Sequence, residues 1–67
     1  MKYVIKSKET EAQTVIEDTD IEDVFTVKSY DDAGKLNNRY HMTDPLQAEE
    51  MIEKARISEK NELIKEQ

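Results

Sequence analysis

Two hydrophobic periods divide this chain. Through about residue 42 the apolar positions recur every second residue, and beyond residue 44 they recur every three to four. Residues 2–8 (KYVIKSK) read as a strand, with Tyr3, Ile5 and Ser7 on one side and Val4, Lys6 and Lys8 on the other. Residues 9–13 are polar and suit a connection. Residues 14–17 (TVIE) then favour a second strand paired as a hairpin with the first. A helical segment over 9–17 competes, because Ala12, Val15 and Ile16 also have helical spacing.

The acidic stretch 18–23 (DTDIED) reads as a turn in which Asp20 caps a single helical turn. Residues 24–30 (VFTVKSY) carry the strongest β signal. Asp31-Asp32-Ala33-Gly34 is a turn with a mechanism. An aspartate side chain starts it, and the chain's single glycine takes the positive-φ position where a side chain is costly. Residues 36–42 (LNNRYHM) close this hairpin, with Leu36, Asn38, Tyr40 and Met42 sharing a face.

Asp44 then caps a helix that has Pro45 at its first position and Gln47 at its third. Glu49 and Glu50 follow near the positive end of the helix dipole. Ala48, Met51, Ile52 and Ala55 form the inward stripe, and helical phase brings Leu63 near it. Ile57 and Ile64 fall out of phase, in line with Leu46 on the opposite side. This predicts either a bend near Ser58 or a second apolar line that receives a partner helix.

The expected fold is α+β in one domain over 1–67, mainly β over 1–43 and helical over 44–67. A small antiparallel sheet of three or four strands, including the hairpin 24–30/36–42, carries one C-terminal helix, about 45–65, packed on one face. The expected core is Tyr3, Ile5, Ile16, Phe25, Val27, Leu36, Tyr40, Met42, Met51, Ile52 and Ala55.

Composition narrows the chemistry. At 67 residues a domain buries only ~60% of the surface its unfolded chain exposes, so little apolar material is left to enclose a deep pocket. The absence of cysteine excludes disulfides, zinc–thiolate sites and thiol nucleophiles. No apolar run reaches the ~18 residues that a membrane helix needs, and the first residues do not open a signal peptide. These features fit a cytoplasmic protein.

The net charge of −6 is unevenly placed: residues 9–32 hold nine acids against one base, a local net of −8. Such a segment repels phosphate backbones and attracts basic surfaces. The spacing of Asp18, Asp20, Glu22 and Asp23 resembles the opening of a calcium loop. However, Asp23 stands where that loop needs glycine and Ser29 where it needs a bidentate glutamate, so the motif fails. His41, the lone histidine, has no ligand or triad partner specified nearby, and no phosphate loop or nucleophile elbow is present.

The sequence therefore predicts a non-enzymatic protein-binding module with no cofactor and no metal. Its partner is a basic protein, with no direct nucleic-acid or membrane contact. In its sharpest form it is an inhibitor or nucleic-acid mimic that docks through Glu17, Asp18, Asp20, Glu22, Asp23, Asp31 and Asp32. The alternative is a self-assembling structural protein, a homo-oligomer joined through a sheet edge or through the helix back face of Leu46, Ile57 and Ile64. A small enzyme or metal-binding protein ranks third.

Overall fold

A computed structural model describes residues 1–66. It is an α+β fold with five antiparallel strands and one helix: β1 (Lys2–Ser7), β2 (Gln13–Asp18), β3 (Phe25–Tyr30), β4 (Leu36–Met42), α1 (Pro45–Ile57) and β5 (Asn61–Glu66). The order across the sheet is β4-β3-β2-β1-β5. Four strands thus form a meander, and the chain crosses over through α1 to place β5 beside β1. Residues 13–18 are a strand, and the competing helix over 9–17 does not form.

The helix corrects the expected architecture. It runs to Ile57 rather than to about 65, and a fifth strand follows it, so the helix is not the C-terminal element. Its start is well specified. Asp44 has extended backbone and its Oδ1 accepts from Leu46 N at 3.0 Å, with Pro45 inside the first turn. Glu49 and Glu50 lie beyond that turn, which contains no acid. Its end is set by Ser58, whose extended backbone breaks the helical path. The Ser58 hydroxyl accepts from Lys60 N at 3.2 Å, tightening a short turn into β5. Leu63 is in phase with the inward stripe of the helix and Ile64 is not. As strand neighbours they point to opposite sides of the sheet.

The buried centre is Ile16, Val27, Met42 and Ala48, with Tyr3, Ile5, Phe25, Met51 and Ile52 packed around it; Ala55 is buried further along the helix. The helix begins beside Met42 and ends beside β5, so it crosses the sheet obliquely. That path leaves the far half of β4 uncovered, and two residues expected in the core are exposed, for different reasons. Tyr40 is on the helix side of the sheet but at this bare edge. Leu36 is displaced by a bulge. The pairs from Phe25↔Met42 through Ser29↔Asn38 keep one register, and the next is Tyr30↔Leu36. One extra residue on β4 turns Leu36 to the side that Tyr30 occupies, away from the helix.

Val4 and Val15 are nearly fully buried although no helix covers them, at 9% and 6% exposure. They pair across β1 and β2 on the open face, with Ile64 on the other side of Val4. Lys2, Lys6, Glu17 and Lys28 surround them, and two ion pairs, Lys2–Glu66 and Lys28–Glu17, each 3.5 Å, hold charged heads above the apolar stems. Neither Val4 nor Val15 was in the expected core.

Candidate functional site

The acidic segment does not form one patch. Strands β2 and β3 run between its halves, and six residues at about 3.3 Å each separate the two ends of the sheet by roughly 20 Å. Asp18, Asp20, Glu22 and Asp23 gather at the β2–β3 end. Asp31 and Asp32 lie at the opposite end, beside the β1–β2 connection: Thr10 Oγ1 donates to Asp32 Oδ1 at 3.2 Å and Glu11 N donates to Asp32 O at 3.3 Å. Glu17 stands apart from both, on the open sheet face, where it is paired with Lys28.

The two ends use their carboxylates differently. Asp31 Oδ1 accepts from Ala33 N and from Lys35 N, both at 3.0 Å, and Gly34 N donates to Asp31 O at 2.9 Å. Gly34 has φ +82°, the positive value expected for this turn. These acids are engaged in building a hairpin.

At the β2–β3 end a threonine does the organising. Thr19 Oγ1 donates to Val24 O at 2.8 Å and accepts from Ile21 N at 3.1 Å, so the loop is closed without the helical turn expected at Asp20. Asp23 sits in the left-handed region at φ 62°, which aspartate tolerates better than most residues. Of the four acids here, only Asp18 is paired, to the Met1 α-amino group at 2.6 Å. Asp20, Glu22 and Asp23 make no ion pair among the described residues.

Asp18 and Asp23 border a largely apolar opening. A groove of about 300 Å³ lies between the first half of α1 and the ends of β1, β2 and β3. Tyr3, Ile16, Phe25, Ala48 and Ile52 form its apolar walls, and Asp18, Asp23 and Glu49 supply carboxylates at its margin. It exists because the oblique helix touches the sheet here through Ala48, a side chain too short to fill the space between Phe25 and Ile52. A second hollow, sharing Met1, Asp18, Asp23 and Phe25 with the first, extends the surface to Glu22 and Ile21. Ile21 is among the more exposed large apolar residues, and the sequence reading passed over both it and the groove. The Lys65 ammonium lies over the Tyr3 ring, 6.0 Å from its centroid.

The helix back face predicted from Leu46, Ile57 and Ile64 is not one surface. Leu46 and Ile57 are exposed near opposite ends of α1, while Ile64 is a half-buried residue of β5 on the far side of the sheet, beside Val4. His41 lies on edge strand β4, with its Nδ1 3.4 Å from Thr26 Oγ1. Among the described residues no three of His, Asp and Glu converge as metal ligands, and no helix is long and apolar enough to cross a membrane. No family model, curated protein or solved structure matches the chain.

Proposed function

We propose that this chain is a non-enzymatic, cytoplasmic binding module that docks a basic protein segment at the β2–β3 end. The observation carrying this reading is the groove itself, where half-buried Tyr3, Phe25 and Ile52 stand open to solvent within a margin of Asp18, Asp23 and Glu49. An apolar floor with an anionic rim is complementary to a segment with one large apolar side chain flanked by lysine or arginine. The apolar anchor supplies affinity, and the rim supplies steering and specificity. The acids at the other end, committed to the β3–β4 turn, offer no comparable anchor. Carboxylates divided between two ends also support recognition of a protein segment better than imitation of a continuous phosphate backbone.

A short peptide with one leucine between lysines tests the reading. Titration followed by NMR should move the signals of Tyr3, Phe25 and Ile52, and affinity should fall as salt rises. Combining Glu22→Gln, Asp23→Asn and Glu49→Gln removes three rim charges worth about 0.5 kcal/mol each, for roughly a tenfold loss of affinity. Shifts centred instead on Asp31 and Asp32, or binding indifferent to these substitutions, would refute it.

A further inference from the structure

The two edges of the sheet are unlike. At one edge β5 is flanked by the end of α1 and carries both signs of charge, Glu62, Lys65 and Glu66, with Glu66 already paired to Lys2. At the other edge β4 lies where the oblique helix does not reach, and every residue of it except Met42 is exposed. Among the described residues no element other than β3 forms backbone hydrogen bonds with β4, so the outward N–H and C=O groups of alternate residues face water. From Asn38 to Met42 the strand keeps one register with β3, a regular edge of roughly 15 Å at about 3.3 Å per residue. Neither β3 nor β4 contains an acid. Lys28 and Arg39 stand directly opposite each other on the open face; Lys28 is taken up by Glu17, whereas Arg39 makes no ion pair among the described residues. The acids at the two ends of this edge are committed to the fold: Asp31 to the Ala33 and Lys35 amides, Asp32 to Thr10, and Asp44 to Leu46 N. The edge is thus a row of backbone donors and acceptors with a free guanidinium on one side and the bare Tyr40 ring on the other.

We propose that β4 receives an extended acidic segment of another protein as a sixth, antiparallel strand. Main-chain hydrogen bonds along the edge supply the affinity of such a contact, and two side chains supply its specificity. A carboxylate opposite Arg39 accepts from the guanidinium, and an apolar residue next to that acid in sequence points to the other face and covers Tyr40. The β4 strand of a second copy is a poor occupant. Pairing residues 36–42 with themselves about a two-fold axis centres the register on Arg39 and sets two guanidinium groups against each other. The same cation therefore rejects this strand's own kind and selects an acid. The surface is separate from the groove between α1 and the sheet, and its assignment does not rest on the reading of that groove.

The probe is an acetylated, amidated peptide, Thr-Glu-Val-Glu-Val-Thr, titrated into the full chain to millimolar concentration. NMR should show shifts along residues 38–42 and slower hydrogen exchange at alternate amides of β4, with Tyr3 and Phe25 unmoved. Two further peptides carry N-methyl groups on alternate residues. Because alternate amides of an added strand face the edge and face away from it, one of these should bind as the parent does and the other should fail. Arg39→Glu lies at an exposed position, and circular dichroism checks that the variant folds. It should weaken binding at least about tenfold, and a peptide with lysine in place of both glutamates should bind this variant better than it binds the unsubstituted chain. An absence of binding, equal binding by the two N-methylated peptides, affinity indifferent to Arg39→Glu, or shifts centred on the groove would each overturn the proposal. Sedimentation of the chain alone gives the last outcome: assembly that Arg39→Glu changes would assign the edge to a second copy and also overturn it.

Discussion

The two acidic ends of this molecule have similar composition and opposite employment. At the β3–β4 end, Asp31 holds two backbone amides and Asp32 accepts from Thr10 across the neighbouring connection. At the β2–β3 end the equivalent work is done by the Thr19 hydroxyl, and Asp20, Glu22 and Asp23 are left with no ion-pair partner among the described residues. A count of charges along the chain cannot separate these cases. Hydrogen bonding does, because a carboxylate that satisfies backbone donors is part of the fold, whereas one that faces only water is available to a partner.

Substitutions that should affect one end and spare the other sharpen this contrast. The largest effect belongs to Gly34→Ala. A Cβ there would meet only Glu11 Cβ at an ordinary 3.7 Å, so the cost is the positive φ alone. At about 1–2 kcal/mol it should lower the melting temperature by roughly 4–15 °C in calorimetry. Asp31→Ala comes next, at about 1 kcal/mol, because Ala33 N and Lys35 N both lose their acceptor to water; urea unfolding measures it. The smallest effect is at the other end, where Asp20→Asn with Glu22→Gln should leave stability within about 0.5 kcal/mol. If this last pair destabilised the fold as much as Asp31→Ala, the acids at the β2–β3 end would be structural too, and the distinction would collapse.

Most of the local structure was legible because it depends on neighbours in sequence. Alternation identified β1, β3 and β4, the Asp31–Gly34 turn had the geometry its residues require, and Asp44-Pro45 announced the start of the helix. The chain beyond Ser58 was harder to read. Leu63 suited the helix stripe while Ile57 and Ile64 fell out of phase, and a bend near Ser58 was one of two explanations. The structure takes that bend further and turns the remainder into a strand. The site was legible only in part. Asp18 and Asp23 were among the expected binding residues and do border the groove, whereas its apolar walls were assigned wholly to the core and Glu49 to the helix dipole.

By itself, then, the sequence determined the α+β class, the first four strands, the helix cap and the excess of negative charge. Each of these follows from residue type and short-range period. Tertiary structure decided which of those features share a surface. The oblique path of α1 exposes Tyr40 and opens the groove, and one bulged residue turns Leu36 away from the core. Pairing of β1 with both β2 and β5 buries Val4 and Val15 beneath charged side chains. The reason is geometric: period and propensity describe a segment along its own axis, while the angle at which helix crosses sheet is set by side-chain contacts between segments distant in the chain.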